Sequence, residues 1–171
     1  MKKFELTSEF VTLLGKKLFR IKALISFGNV KEGELGGFVE KEENLSNDGN
    51  AWVSGNAWVS GNTRVCGDAR VYGNARVYGD AEVYGDAEVC GDARVYGNAD
   101  YAMVHGFGSE YRTTTFFRTK AGEIGVRCGC FYGTLEEFRA KVKETHGETK
   151  TAKEYLMVAD LMEFRFSKEE A

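Results

Sequence analysis

The chain has 171 residues with 23 Lys and Arg against 26 Asp and Glu, which gives a formal net charge of −3. Proteins that bind nucleic acid or membrane surfaces carry basic patches, which this near-balance does not supply, so we expect neither kind of partner. The apolar runs are too short to span a bilayer, and the first residues lack the pattern of a signal peptide. We therefore expect a cytoplasmic protein whose four cysteines are reduced.

Residues 1–48 are predicted to form a β-rich N-terminal cap. Apolar and polar residues alternate in Phe4–Leu6 and in Leu18–Leu24, as they do in half-buried strands. Leu14–Lys17 supplies a turn between these two segments. This pattern predicts an antiparallel hairpin at the start of the chain.

The central segment, residues 49–102, contains nine near-identical six-residue units that follow the pattern Gly, Asn or Asp, Ala, a variable residue, Val, and Ser, Cys or Tyr. Thr63 replaces Ala in the third unit, and the ninth unit ends in Tyr101-Ala102. A strict period of six residues is the signature of a parallel β-helix. In such a helix we expect Val and Ala to face inward and each Gly-Asn or Gly-Asp dipeptide to form a corner. We expect a left-handed coil with three units per turn, so that residue i lies beneath residue i+18. The spacing from Leu45 to Val53 is eight instead of six, which predicts an irregular rung with two extra residues near Asn47.

This register places the outward side chains in vertical columns. Two columns stack arginine against a carboxylate and two place arginine over tryptophan, and both kinds of contact are favourable between neighbouring strands. Arg76 over Arg94 is a like-charge contact. Cys66 and Cys90 fall on different faces, so we expect no disulfide between them. The columns read Trp52–Arg70–Glu88, Trp58–Arg76–Arg94 and Arg64–Glu82–Asp100.

Residues 103–171 are predicted to form a small α+β domain. We expect a hairpin, two helices that each begin with a capping box, and one last short strand. The segments are 113–119 and 124–131 for the hairpin, a helix from Thr134 to about Glu144, a second helix from Thr151, and a strand at Glu163–Phe166.

Three motifs outside the repeats carry a family resemblance: KALISFGNV at 22–30, LGGFVEKEENLS at 35–46 and CGCFYGTLEEF at 128–138. Together with the repeats they resemble a family of hexapeptide-repeat proteins from phages, prophages and other mobile elements of bacteria. The resemblance covers nearly the whole chain and implies a left-handed β-helix and a phage-related origin. Because small phage accessory proteins often block host components, it also implies a role against host defence, such as that of an anti-CRISPR protein.

Catalysis is not expected from this sequence. Left-handed β-helices include acyltransferases, which need a catalytic histidine, and γ-class carbonic anhydrases, which hold zinc with three histidines. The chain has only His105 and His146, both outside the repeats. We therefore predict no enzyme activity, no catalytic residue and no cofactor.

A metal site at Cys128 and Cys130 is the alternative to a purely structural role for these residues. Two thiolates with His146 would supply part of a zinc site, but structural zinc commonly uses four ligands and a longer spacing between the cysteines. The interpretation we prefer is two small buried cysteines without metal.

The predicted function is non-catalytic binding of a host protein or protein complex. Interface hot spots are enriched in Trp, Tyr and Arg, and outward tryptophans are costly to leave in water. The alternative for the tryptophans is that the N-terminal cap folds over them. The predicted contact residues are Trp52, Trp58, Arg76, Arg94, Tyr78 and Tyr96.

Two further binding hypotheses remain open. The protein could instead be an oligomeric small-molecule sponge with ligand clefts between protomers, and β-helix proteins of this class commonly assemble as trimers, so a trimer or dimer fits this hypothesis. Four cations of the C-terminal domain could form an anion patch, although we interpret them as a solvated strand face. These cations are Arg112, Arg118, Lys120 and Arg127.

Overall fold

The N-terminal cap is a long antiparallel hairpin joined to the coil. A computed structural model describes residues 1–168, and its first strands are β1 (Phe4–Leu13) and β2 (Lys16–Ala23). Strand β2 also pairs with β3 (Leu35–Val39), which in turn pairs in parallel with the coil. The predicted hairpin and its turn are confirmed, and β1 extends further than the sequence pattern indicated.

The central segment is a parallel β-solenoid of about three turns built from two-residue strands. Strands that pair are eighteen residues apart, as Trp52 is from Arg70 and Arg70 from Glu88. This confirms the predicted register. The strands are β4 (Trp52–Val53), β5 (Trp58–Val59), β6 (Arg64–Val65), β7 (Arg70–Val71), β8 (Arg76–Val77), β9 (Glu82–Val83), β10 (Glu88–Val89) and β11 (Arg94–Val95).

The core of the coil is a stack of valines and alanines with no exposed surface. Below it, Val39 pairs with Val59 and Leu45 with Val65, an offset of twenty residues instead of eighteen. The predicted irregular rung with two extra residues is therefore present. It contains the short 3₁₀ helix Glu42–Asn44.

A buried lysine closes the lower end of the coil, where backbone groups would otherwise lack partners. Lys3 is 2% exposed, and its Nζ donates hydrogen bonds to the carbonyl oxygens of Ala51 at 2.9 Å and Gly49 at 3.3 Å. The same ammonium lies 4.6 Å from the centroid of the Phe27 ring. Lys3 thus joins the first residues of the chain to the first turn of the coil.

Burial of Lys3 makes the stability of the fold depend on pH. Desolvation lowers its pKa from 10.5 to about 8, against the opposing charges of Asp48 and Asp68. Because the unfolded chain then holds the proton more tightly than the folded one, the free energy of unfolding should rise as the pH increases from about 8 toward 10. We expect Lys3 to contribute a rise of about 1–2 kcal/mol between about pH 7.5 and about pH 9.5, measured by urea titration as the difference from a variant without this lysine.

The matched variant for this prediction is Lys3→Met, which keeps an unbranched side chain and removes the titrating group. It should abolish the rise. An equal rise in the variant would assign the effect to other groups. The Cys90 thiol opposes this rise within the same window, since burial raises its pKa and the unfolded chain loses that proton first. Tyr101, whose pKa burial also raises, opposes it near pH 10, roughly the pKa of an unburied tyrosine. The difference between wild type and Lys3→Met therefore isolates the effect of Lys3.

The ninth repeat unit leaves the coil. Its residues form the 3₁₀ helix Asn98–Asp100 and then enter an antiparallel sheet, where Asp100 accepts a hydrogen bond from Arg118 Nε at 3.1 Å. The predicted column Arg64–Glu82–Asp100 therefore ends at Glu82. The predicted hairpin also ends earlier than expected, since Phe131 belongs to a third strand. The sheet consists of β12 (Tyr101–Val104), β13 (Thr114–Arg118), β14 (Ile124–Cys128) and β15 (Phe131–Thr134).

Two helices pack on the C-terminal sheet. Helix α1 (Leu135–His146) begins with the predicted capping box of Thr134 and ends at Gly147. Helix α2 (Lys150–Phe166) begins after Thr149, whose hydroxyl accepts a hydrogen bond from the amide of Ala152.

Two predictions for the second helix are wrong. The N-cap is Thr149 and not Thr151, since Thr149 is the residue whose hydroxyl reaches an otherwise unpaired first-turn amide. The predicted strand Glu163–Phe166 is the last turn of the helix, because Met162 and Phe166 are four apart and both bury on the same face. Neither helix in residues 1–168 is long and apolar enough to cross a membrane.

Candidate functional site

The outward column Trp58–Arg76–Arg94 forms one face of the coil. The Arg76 guanidinium lies 4.2 Å from the centroid of the Trp58 ring, in a cation–π contact. The Arg94 Nη1 instead donates to the backbone carbonyls of Ala93 at 2.8 Å and Asn74 at 3.0 Å. The two guanidinium groups thus have different partners, the Trp58 ring for Arg76 and backbone carbonyls for Arg94. These contacts explain how two arginines can be neighbours in one column.

Tyr78 and Tyr96 follow this column on the same face. Their ring centroids are 3.9 Å apart with an interplanar angle of 79°, an edge-to-face arrangement. Tyr96 is 59% exposed and Tyr78 is half-buried. Burial and the neighbouring phenol of Tyr96 raise the pKa of Tyr78, so the Tyr78 phenol stays protonated at neutral pH.

A groove of about 600 Å³ separates these tyrosines from the tip of the N-terminal hairpin. Leu14, in the hairpin turn, is 95% exposed. Exposed apolar side chains that adjoin one another commonly mark an interaction surface. We call this feature the tyrosine groove, and its main lining residues are Leu13, Leu14, Lys16, Leu18, Arg76, Tyr78, Asp80 and Tyr96.

The charged residues that line the tyrosine groove are Lys16, Arg76 and Asp80. Within residues 1–168, neither Arg76 nor Arg94 has a carboxylate oxygen within 4.0 Å. Lys16 pairs with Glu40 at 3.2 Å, and a hydrogen bond from the amide of Gly61 lowers the pKa of that carboxyl. The Asp80 carboxylate accepts a hydrogen bond from Asn62 Nδ2 at 3.1 Å. Arg76 is therefore the lining cation that has no carboxylate partner in the described residues and can meet an external anion.

Trp52 is almost fully covered, although the part that remains accessible lines a cleft. It is 4% exposed, and Phe27 of the N-terminal cap packs edge-on against it with centroids 5.4 Å apart. The alternative in which the cap folds over the tryptophans is correct for this residue. Trp52 therefore lacks the outward exposure that is expected of a contact residue. The other five predicted contact residues keep exposed surface on the face described above.

A second cleft, of about 370 Å³, follows the column Trp52–Arg70–Glu88. The Glu88 carboxylate accepts hydrogen bonds from Arg127 Nε at 2.9 Å and from the Tyr72 hydroxyl at 2.8 Å. This contact joins the C-terminal sheet to the coil. Sequence reasoning placed Glu88 beside Arg70, but the competing Arg127 lies 39 residues away and no local pattern indicates it. We call this feature the Arg70 cleft.

The alternative of an anion patch formed by the four cations of the C-terminal domain is not supported by their contacts. Arg118 pairs with Asp100 at 3.1 Å, Arg127 with Glu88 at 2.9 Å, and Arg112 approaches Glu110 at 3.8 Å. The preferred interpretation of a solvated strand face is also incomplete, since Arg118 and Arg127 hold the C-terminal sheet against the end of the coil. Lys120 is exposed, and its backbone amide donates to Asp92.

Cys128, Cys130 and His146 line one small pocket of about 270 Å³. Among the residues that the structure describes, no three His, Cys, Asp or Glu side chains are grouped to hold a metal ion. The prediction of two buried cysteines is wrong, because the turn at Gly129 carries Cys130 into solvent and Cys128 is only half-buried. Both are free thiols, as are the other two cysteines of the chain.

The two histidines lie apart. His105 is exposed, with Nδ1 2.9 Å from the hydroxyl of Thr113, whose own hydroxyl donates to Asp86 at 2.6 Å. His146 stacks on Tyr155 with centroids 5.6 Å apart. The hydrogen bonds that join His105, Thr113 and Asp86 lie outside both the tyrosine groove and the Arg70 cleft.

Comparison with known families gives two overlapping matches to the YdcK β-solenoid repeat, at residues 63–79 and 69–85. The repeated segment is a β-solenoid. The matches cover units in the middle of the coil and agree with its observed parallel pairing. No curated protein sequence matches the chain.

Proposed function

We propose that this protein is a non-catalytic binding protein that holds a partner protein in the tyrosine groove. The observation that carries this proposal is that the exposed side chains of Leu14 and Tyr96 line one groove together with Arg76. Tyrosine and arginine dominate the energetics of protein interfaces, and apolar side chains that face water favour association.

Charge complementarity favours a partner segment with a carboxylate. Arg76 is already oriented by its contact with Trp58, so an external carboxylate would meet a guanidinium with reduced conformational freedom. The edge-to-face pair of Tyr78 and Tyr96 would receive an apolar side chain of the same segment. The occupant that fits is therefore an acidic segment of a protein that also presents an apolar residue.

The setting of this activity follows from the family resemblance. We include in the proposal a left-handed coil with the six-residue unit as its repeat, an origin in a phage or another mobile element, and action in the bacterial cytoplasm. The partner would then be a host protein complex of a defence system, CRISPR effectors among them. The six-residue period and the resemblance support this part of the proposal.

Tyr96→Ala should weaken partner binding by about 2 kcal/mol, roughly 30-fold in Kd, because it removes an exposed aromatic anchor. The control is Tyr84→Ala: Tyr84 occupies the same position of its repeat unit, is 51% exposed and lies outside the tyrosine groove. We expect the control to change the Kd less than about threefold. Calorimetric titration of the purified partner with each variant measures the difference.

The partner can be identified with a photoreactive phenylalanine analogue placed at Leu14 or, as the control position, at Tyr84. A protein that crosslinks from Leu14 and not from Tyr84 is the expected result. Phage should also plate on cells that carry the targeted defence system when wild-type protein is expressed, and not when Tyr96→Ala is expressed. Equal crosslinking from both positions, or equal affinities of the two tyrosine variants, would contradict the proposal.

A further inference from the structure

The Arg70 cleft lies where three parts of the molecule meet. The loop after the N-terminal hairpin contributes Asn29 and Glu34, the coil contributes Trp52 and Arg70, and the C-terminal sheet contributes Arg127. Its volume of about 370 Å³ falls in the range of small-molecule sites, roughly 300–1,000 Å³. None of its lining residues lines the tyrosine groove, so the two surfaces are separate.

Arg70 is the cation of this cleft whose charge is not used inside the protein. It is in register with Glu88, but that carboxylate is taken by Arg127 and by the hydroxyl of Tyr72. Across residues 1–168, the Arg70 side chain forms no ion pair and donates no hydrogen bond. A half-buried guanidinium in this situation is a receptor for a planar or tetrahedral anion, since its N–H groups bind carboxylate and phosphate oxygens in pairs.

The other walls of the cleft restrict the kind of anion. Tyr72 supplies aromatic surface, and Trp52 adds the small part that Phe27 leaves exposed. The side chains of Asn29 and Ser54 are polar groups without a hydrogen-bond partner in the described part of the chain. Glu34 lines the same cleft and disfavours a ligand with several negative charges. The chemistry fits a small organic molecule with an aromatic or apolar body and one anionic group.

We propose that the Arg70 cleft binds a small organic anion, with the anionic group on Arg70 and the body against Trp52 and Tyr72. The anionic group is a carboxylate or a phosphate, and the two are distinguished by experiment. This activity does not depend on the partner protein of the tyrosine groove, and each proposal can fail while the other holds.

The test uses the full chain labelled with ¹⁵N and titrated with benzoate, with phenyl phosphate and with neutral benzyl alcohol. The protein has two tryptophans, and only Trp52 lines the cleft, so the two indole N–H resonances report on position. Assignment of the two resonances follows from Trp58→Phe. We expect one or both anions to shift the Trp52 resonance saturably, without a matching shift of Trp58, and benzyl alcohol to leave it unchanged.

Arg70→Gln should weaken anion binding roughly ten- to hundred-fold, which is the usual effect of losing charge-assisted hydrogen bonds. The matched control is Arg64→Gln, at the same position of the preceding unit but outside the cleft, and it should bind as wild type does. A response to only one of the two anions would identify the group as carboxylate or phosphate. The proposal is overturned if neither anion at millimolar concentration shifts Trp52 in the wild-type protein, if Trp58 responds instead, or if folded Arg70→Gln binds as tightly as Arg64→Gln.

Discussion

Gly79→Ala should lower the free energy of unfolding by about 3–4 kcal/mol, as expected when both backbone strain and a steric clash are introduced. Gly79 has a φ of 73°, and a methyl group on its Cα would fall on the carbonyl oxygen of Tyr96. This oxygen belongs to the backbone of the next turn of the coil, so no side-chain rotation can make room. The coil would have to open locally at this corner.

Gly55→Ala is the matched control for the steric part of the effect. Gly55 has a φ of 62°, but its added Cβ would meet Gly73 at 3.4 Å, an ordinary contact. We expect a cost of about 1–2 kcal/mol from the positive φ alone. Urea unfolding followed by circular dichroism measures both variants. Equal losses would show that the corner at Gly79 is not packed against the next turn.

The coil could be predicted from the sequence because its pairing is set by a local, repeated rule. The spacing of the repeat units along the sequence is enough to predict that Trp58 lies beneath Arg76 and that the valines face inward. The same spacing predicts the two extra residues that precede Val53. The capping box at Thr134 is also a local signal. Each of these features is decided within about twenty residues of chain.

The surfaces of the coil could not be predicted in the same way. Leu14 contributes to the tyrosine groove only because the hairpin tip folds beside Tyr78, and Trp52 is covered only because Phe27 returns over it. A short apolar run such as 163–166 also fits a strand or a helix, and packing against the neighbouring elements decides between them. The binding residues therefore depend on contacts between segments that no repeat pattern encodes.

Asn44→Ala should lower the free energy of unfolding by about 3 kcal/mol, because it leaves several buried polar groups without partners. Asn44 has no exposed surface, and its Nδ2 donates to the carbonyl oxygens of Thr63 at 2.8 Å and Gly61 at 3.1 Å. Its Oδ1 accepts from the amide of Lys41 at 3.0 Å. This side chain therefore joins the irregular rung to the first regular turn, beside the backbone pairing of Leu45 with Val65. Asn56→Ala, at an exposed corner, is the control and should cost less than about 0.5 kcal/mol.

Asn44→Asp separates the loss of hydrogen bonds from a general effect of substitution. Aspartate keeps the acceptor for Lys41 but places a carboxylate oxygen against the carbonyl groups of Gly61 and Thr63, which need donors. It should therefore be less stable than Asn44→Ala at neutral pH, although it is closer in shape to asparagine. Burial beside two carbonyl oxygens raises the pKa of the new carboxyl, so its protonation should recover part of the loss as the pH falls toward 5, roughly the range of a raised carboxyl pKa. Urea titrations of both variants at neutral and mildly acidic pH measure this order of stability and its change with pH. If Asn44→Asp is more stable than Asn44→Ala at neutral pH, Asn44 acts mainly as a hydrogen-bond acceptor.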